Sequence, residues 1–500
     1  MTQQRRIQNL RTRFFASTAM GILALQAVPV ALADDHDEGP SRAALEARII
    51  ALESRLDRLL TKLEAGDAES DAKKVTSLEA SHSTNAGIPH ADKTASITSV
   101  PAVERGDGTR AIALLETDSP GGVSAQQTKP KPSNKLKLSA GDTDLTFKGY
   151  VKLDTTISNF SGGDLPSSSL GRDFYIPGLI PVGGTGDGPD FDFNPRETRF
   201  IFAVDTNRGG HDIGGLIELD FQVTSDGNER VSNSFTPRMR QAYITIDNWL
   251  LGQAWSTFQD VSALPDNLDF IGPTEGTVFI RQPMIRYTKG PFQIAIEQPE
   301  TEVTGPNGGR LLPGDDVAPD VVARYNMKRD WGHFTLAGIG RALHVEENIV
   351  PGAESDTIFG FGVSASGKIK VGPRDDFRFM ATYGEGIGRY VGVNIVNDVA
   401  VGLDGQLQTI PTYSGFASYR HFWTDRLRSN LTGGYFKADN PIALVGDTPT
   451  DEVYSAHVNL IYQLVNNLEV GIEYIYANRT LENGADGDLN RVQFSTKYSF

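Results

Sequence analysis

From residue 145 to residue 500 the chain repeats one pattern, in which segments of about ten residues alternate apolar and polar side chains and are separated by turn-forming residues. The final segment shows it most plainly. Val492, Phe494, Thr496, Tyr498 and Phe500 fall on one face of an extended strand, and Arg491, Gln493, Ser495, Lys497 and Ser499 fall on the other, because strand side chains alternate with period two. About sixteen such segments can be placed. They lie near 145–157, 197–206, 212–223, 238–246, 249–258, 277–287, 291–298, 319–328, 332–343, 357–370, 377–385, 411–423, 426–436, 452–464, 468–478 and 490–500. Links after even-numbered segments are tight, as in Asn207-Arg208-Gly209-Gly210, Asp247-Asn248, Thr288-Lys289-Gly290 and Val465-Asn466-Asn467. Links after odd-numbered segments are long, as in 158–196, 224–237, 259–276, 299–318 and 386–410. A soluble sandwich has no reason to segregate loop length by end, whereas a transmembrane barrel keeps tight turns on the periplasmic side and long loops outside. The pattern predicts an all-β fold, a transmembrane antiparallel β-barrel of about sixteen strands, occupying residues 141–500 and sitting in a bacterial outer membrane.

The two faces of these segments differ in chemistry. Phe200, Phe202 and Val204 oppose Arg199, Ile201 and Ala203, while Ile217, Leu219 and Phe221 oppose Glu218, Asp220 and Gln222. A Lys or Arg on the lipid face at mid-membrane costs about 2–4 kcal/mol, so the charged set is predicted to face the lumen. A charged lumen holds water, which implies a channel or a plugged pore and not a packed core. The mean hydropathy of −0.29 does not conflict, since only alternate residues meet lipid. The chain has no cysteine, which removes disulfides, thiol nucleophiles and Cys-type zinc sites. No metal, nucleotide or phosphate-cradling motif is present, so no cofactor is expected.

Ahead of the barrel the organisation changes three times. Arg5, Arg6, Arg11 and Arg13 precede an apolar run from Phe14 to Leu32 that ends Ala31-Leu32-Ala33, the pattern of a signal peptide over residues 1–33. Residues 34–65 then place Leu45, Ile49, Leu52, Leu56, Leu59 and Leu63 at alternating steps of four and three, with Ile49, Leu56 and Leu63 at a and the others at d of a heptad. This predicts a short periplasmic coiled-coil helix, with a periplasmic or cell-wall contact as its expected partner, and leucine at both positions does not set the number of strands. Residues 66–140, rich in Ser, Thr, Ala, Gly, Pro and charge, read as a flexible linker. The formal net charge is −16, and removing the four arginines of the leader makes the mature chain more acidic still, which excludes nucleic acid as a partner on bulk charge.

Function is sought on the lumen side. The third long loop, 259–276, bears Asp260, Asp266, Asp269 and Glu275 together with Leu264, Pro265, Leu268, Phe270, Ile271 and Pro273. Apolar residues on a loop have to bury against something. Folding into the barrel and narrowing it satisfies them; packing between neighbouring subunits is the alternative. Inward positions also bear basic residues, among them Arg199, Arg324, Arg378 and Arg420, while Arg238, Arg240, Arg281 and Arg286 cluster on either side of the third loop, where mixed periodicity leaves their orientation open; these eight are the candidate pore-lining groups. Guanidinium groups opposite loop carboxylates create a transverse field and a bidentate docking place for small anions.

Several stretches look like porin wall motifs: Phe193-Asn194-Pro195-Arg196-Glu197-Thr198-Arg199-Phe200, Arg240-Gln241-Ala242-Tyr243, Leu251-Gly252-Gln253-Ala254-Trp255-Ser256-Thr257-Phe258, and Gly272-Pro273-Thr274-Glu275-Gly276 followed by Arg281-Gln282-Pro283. Together they resemble the DcaP-like porins over residues 145–500, most densely from 193 to 290. The resemblance implies a homotrimer, an N-terminal coiled coil and a preference for dicarboxylates, none of which periodicity shows. The stretches 299–318 and 384–410 match nothing in that pattern.

The reading is therefore a passive, anion-selective porin with small anionic solutes and outer-membrane lipid as partners. A carbohydrate-type or general porin is the alternative within the channel class and calls for a row of aromatic side chains through the lumen. A structural barrel tethered to the cell wall is a further alternative. An enzyme is not expected: His457 shares a face with Ser455 and Asn459, but on the polar face, where a hydrated wall explains all three.

Overall fold

The computed structural model describes residues 136–223 and 232–500. The predicted signal peptide, the heptad segment with Leu45 to Leu63, and the linker up to residue 135 lie outside the described residues. Sixteen long strands form the wall. The first eight are β1 (Thr143–Phe160), β2 (Arg199–Arg208), β3 (His211–Asp220), β4 (Arg238–Ile246), β5 (Trp249–Trp255), β6 (Arg281–Lys289), β7 (Phe292–Glu297) and β8 (Asp320–Arg329). The second eight are β9 (Gly332–Val345), β10 (Asp356–Val371), β11 (Asp375–Glu385), β12 (Pro411–Phe422), β13 (Leu427–Ala438), β14 (Thr450–Val465), β15 (Leu468–Leu481) and β16 (Asp486–Ser499). Each strand pairs antiparallel with the next, and β1 closes the ring. Its first half pairs with β2, ending at Tyr150↔Arg199, and its second half pairs with β16, from Tyr150↔Ser499 to Phe160↔Leu489. A closed barrel leaves no wall strand with an unpaired edge, which is what a sheet surrounded by hydrocarbon requires.

The alternation read from the sequence is the alternation of the wall. Phe202, Ile217 and Phe494 are 50%, 49% and 45% exposed on the outer face, while Arg199, Glu218 and Gln493 keep 2%, 2% and 3%. The tight turns have the expected chemistry. Arg208 pairs with His211 across Gly209 and Gly210, both at positive φ (60° and 85°), the two-residue hairpin in which glycine relieves the clash of a Cβ.

Connections at the opposite end are numbered here in chain order: L1 (161–198), L2 (221–237), L3 (256–280), L4 (298–319), L5 (346–355), L6 (386–410), L7 (439–449) and L8 (482–485). L8 departs from the long-loop rule, being a four-residue hairpin. One boundary is corrected as well. The stretch read as linker to residue 140 ends in a strand, Leu136–Ala140, which pairs with β1 from Ala140↔Thr143 to Leu136↔Phe147. Five residues of alternation are too few to stand out from a polar linker.

The larger correction concerns the lumen, expected to hold water and no packed core. Towards the loop end, inward residues of β8 to β14 include Val322, Ile339, Met380, Phe416, Phe436 and Val453, all buried against Phe258 and Val278 of L3 and Ile387, Tyr390, Val391 and Val396 of L6. L1 enters from the other side. Its Tyr175 and Ile180 pack with Phe160, Ala477 and Leu489, and its Phe174 and Ile176 pack with Phe270 and Ile271 of L3. Each fully buried side chain of this size contributes about 1.5–3 kcal/mol, so three loops fold inward on their own apolar residues. Outside this core, L4 and L6 share a small sheet in which Val303–Thr304 pairs with Arg310–Leu311 and, in parallel, with Val399–Val401.

Candidate functional site

L3 runs round the inner wall and is tied down by side chains from strand after strand. Asp260 receives Arg324 at 3.2 Å, His333 at 2.9 Å and the Ser366 hydroxyl at 3.0 Å. Arg378 donates to the Leu264 carbonyl, and Asp266 accepts from Arg428 at 2.7 Å and from Arg420 at 3.3 Å. Further along, Glu473 accepts from the Leu268 amide at 2.7 Å, and Lys152 donates to the Leu268 carbonyl at 2.6 Å. Glu275 accepts from Ser455 at 2.5 Å. Strands β8 to β16 and β1 thus hold the loop inside the barrel.

The four loop carboxylates fall into two kinds. Burial alone would raise Asp260 and Asp266, but the guanidiniums of Arg324 at the first, and of Arg428 and Arg420 at the second, hold both well below the usual carboxylate range. Burial raises Asp269 and Glu275, which lack a guanidinium within ion-pair distance among the described residues. Asp269 is turned back on its own loop, accepting from the Ile271 and Gly272 amides at 3.1 Å each and from the Tyr175 amide of L1 at 2.8 Å. Glu275 fits against β13 because Gly434 has no side chain there: a Cβ would overlap Glu275 Oε1 and lie 2.9 Å from Pro273 Cβ.

The eight candidate arginines separate by where they sit. Arg324, Arg378 and Arg420 are spent on L3, so they anchor the loop and are not displayed to a solute. Arg199, Arg238 and Arg240 form a ladder with two carboxylates on β3. Arg240 binds Glu218 and Asp220, both at 2.7 Å, Arg238 binds Asp220 at 2.9 Å, and Arg199 binds Glu218 at 3.2 Å. A β-bulge at Glu218/Leu219 lets Arg240 and the adjacent Gln241 both point inward. Arg281 and Arg286 on β6 stand apart. Arg281 lies over the Trp255 ring at 4.5 Å and the Phe279 ring at 5.6 Å, has a buried Nη1 without a hydrogen-bond partner, and has no carboxylate within ion-pair distance among the described residues. Arg286 donates to the Trp255 carbonyl at 3.4 Å and has no carboxylate within ion-pair distance among the described residues.

Sequence reasoning missed the contribution of L1 and L6, because inward folding of a loop leaves no periodic signal. Their apolar residues, Phe174-Tyr175-Ile176 in L1 and Ile387, Tyr390 and Val391 in L6, were the trace they left. It also missed an aromatic row inside the barrel, in which Phe174, Phe270, Phe279 and Trp255 follow one another at 5.1, 5.9 and 4.9 Å. Ser455 lies 3.0 Å from His457, and His457 lies 3.4 Å from Glu473, the connectivity of a hydrolase triad. All three are buried beneath L3, and the serine proton is directed to Glu275, so the array is a loop fastening.

A family model described as DcaP outer membrane protein matches residues 123–500. The chain belongs to the DcaP outer membrane protein family. The chain is therefore an outer-membrane β-barrel protein. Among solved structures it is similar to the outer membrane channel DcaP of Acinetobacter baumannii, with 23% identity and a TM-score of 0.60 over 72% of this chain and 99% of that one. At this identity the likeness shows the fold. The anion-selective porin from Comamonas acidovorans matches with 10% identity and a TM-score of 0.46 over 72% of this chain and 100% of that one. OmpF of Salmonella typhi, in complex with daunomycin, matches with 11% identity and a TM-score of 0.47 over 73% and 100%. No curated protein sequence matches the chain.

Proposed function

We propose that this DcaP-family barrel is a passive pore for small anions, dicarboxylates above all, narrowed by L3 and lined on one side by arginines. One observation carries the reading: on the side of β2 to β6 the inward guanidiniums outnumber the carboxylates they bond. Asp260 and Asp266 are consumed by the wall arginines that fasten L3, and on the other side three guanidiniums share Glu218 and Asp220 while Arg281 and Arg286 have no carboxylate partner among the described residues. An excess of fixed positive charge in a narrow, low-dielectric passage concentrates anions and repels cations. Guanidinium groups also match carboxylates in bidentate geometry, which favours carboxylic acids over halides. A trimeric assembly and a periplasmic coiled coil at residues 34–65 belong to the same proposal.

The aromatic row is the observation in favour of a carbohydrate-type pore. Sugars need open ring faces, however, and here Phe174, Phe270 and Trp255 are buried, with Arg240 and Arg281 lying over the Trp255 ring at 5.6 and 4.5 Å. The deciding experiment is the zero-current potential of the purified protein in a planar bilayer across a potassium chloride gradient, repeated with succinate. Anion selectivity with succinate block or permeation supports the pore proposed; cation selectivity, or maltose block without succinate block, sinks it.

A further inference from the structure

The root of L6 is built round Arg341 of β9, a residue only 2% exposed. Its guanidinium bonds Asp320 of β8 through Nε at 3.1 Å, and through Nη1 it bonds Asp398 of L6 at 2.9 Å and the Gly386 carbonyl at 2.8 Å. The remaining nitrogen, Nη2, donates to the Glu300 carbonyl of L4. Asp398 passes the hold on, accepting the Arg389 amide at 2.9 Å and the Glu302 amide at 3.0 Å. Asp320 accepts the Tyr390 hydroxyl at 2.6 Å, and the Tyr390 ring lies 5.1 Å from the guanidinium carbon. Arg341 thus serves two carboxylates that are 1% and 0% exposed. Without it they would face each other in a site that water reaches poorly, where an uncompensated charge is strongly destabilising.

Further along, L6 is joined to L3. Val278 and Val391 face each other across a short antiparallel bridge, closed by the Phe279 amide on the Tyr390 carbonyl and the Gly392 amide on the Thr277 carbonyl, both at 3.0 Å. The wall adds two bonds from β6, where Gln282 donates to the Tyr390 hydroxyl at 2.7 Å and accepts from Arg389 Nη1 at 2.8 Å. The joined loops close the β8 to β14 side of the lumen with one core, to which L3 supplies Phe258 and Val278 and L6 supplies Ile387, Tyr390, Val391 and Val396. Neither loop fills that side alone.

We propose that L3 and L6 together set the aperture of the pore, and that Arg341 is the residue that positions L6 in it. The inference goes beyond the anion reading, because it concerns the width of the passage and not the sign of the solute. With Arg341 in place, L6 is pinned at its root and bridged to L3 at its middle. With the guanidinium gone, repulsion between Asp320 and Asp398 lifts the root away from the wall, and L6 no longer holds its part of the lumen closed.

The test uses the full-length protein in planar bilayers in symmetric potassium chloride, with single-channel conductance as the readout. The chain has no cysteine, so an introduced pair can form only one disulfide. Val278 and Val391 are a non-hydrogen-bonded antiparallel pair, for which the Cα separation is about 4.5 Å, within the reach of a disulfide. Arg341→Gln should conduct more than wild type. Adding Val278→Cys and Val391→Cys to it should bring conductance back towards wild type when oxidised and leave it raised when reduced. Adding Asp398→Asn to Arg341→Gln removes the stranded charge and should also lower conductance. Wild-type conductance in folded Arg341→Gln, or a raised conductance that neither the disulfide nor Asp398→Asn lowers, overturns the role of Arg341. Should the glutamine variant not fold, Arg341→Lys decides: it keeps the charge and loses the planar fork, so conductance should rise less and fall on oxidation of the cysteine pair, and no rise overturns the proposal. A cation-selective wild type overturns the anion reading and leaves this inference standing, whereas a wild type that conducts nothing overturns the pore and the aperture together.

Discussion

Arg428 Nε lies 2.7 Å from Asp266 Oδ2 in a buried ion pair that fastens the middle of L3 to β13, and Glu469 holds the other side of the same guanidinium at 2.9 Å. The pair joins two segments far apart in sequence, and both partners are almost fully buried. Its weight lies in what its removal leaves behind, an arginine with half its partners gone in a site water reaches poorly.

Asp266→Asn is expected to destabilise the barrel by about 3–5 kcal/mol, the cost of breaking a buried pair by removing one partner. L3 should loosen with it. The checks are the temperature at which the folded band is lost on unheated gels, which should fall, and single-channel conductance, which should rise with broader open-state noise.

Gly434→Ala places a methyl group against Glu275 Oε1 and 2.9 Å from Pro273 Cβ, where L3 meets β13. The loop has to move off the wall, so conductance should change and stability should drop by about 1–3 kcal/mol, the usual range for overpacking. Gly433→Ala is the matched control. Its nearest neighbour would be the Ser455 carbonyl at 3.8 Å, and it should behave as wild type in both measurements.

Acidification acts on L3 in two opposite steps. Glu275 and Asp269 are raised in the fold, so on folding they gain protons and their contribution to stability improves as pH falls from neutrality towards the usual carboxylate range. Asp260 and Asp266 are depressed, so their contribution is complete above the ordinary aspartate value near 3.8 and is lost only as pH falls through their lower folded values. Unfolding midpoints between pH 7 and pH 3 should therefore hold or rise first and fall only at the acid end. Glu275→Gln should remove part of the early rise. A monotonic fall from pH 7 contradicts the assignment of Glu275 and Asp269.

Arg281→Gln and Arg199→Gln should separate selectivity from stability. Arg281 has no carboxylate among the described residues to leave unpaired, so its replacement is expected to shift the zero-current potential towards zero with little change in unfolding midpoint. Arg199 is 2% exposed and shares Glu218 with Arg240, so its replacement removes one of two buried guanidiniums from that carboxylate and should cost about 1.5–3 kcal/mol, the range for a hydrogen bond to a charged group. Equal loss of stability in both variants contradicts the distinction drawn between them.

The wall was legible in the sequence because membrane and lumen impose a two-residue period on every strand, and a residue such as Arg199 can occupy only one parity. About sixteen strands, a closing strand near 490–500 and inward charges such as Arg199, Glu218 and Arg378 follow from that rule. Apolar residues of L3 such as Leu264, Phe270 and Ile271 told from sequence that the loop must bury against something, inside the barrel or between subunits, and not which. Only the tertiary structure decided what each inward arginine does. Arg420 and Arg281 have the same side chain, yet one is bonded to Asp266, 154 residues away, and the other lies over aromatic rings with no acid at ion-pair distance among the described residues. It likewise decided that L1 and L6 fill the lumen beside L3 and that Arg389 reaches Gln282, 107 residues distant. Periodicity reports the solvent each face meets, whereas charge pairing inside a barrel depends on which loop folds back on which strand, and that contact has no period to read.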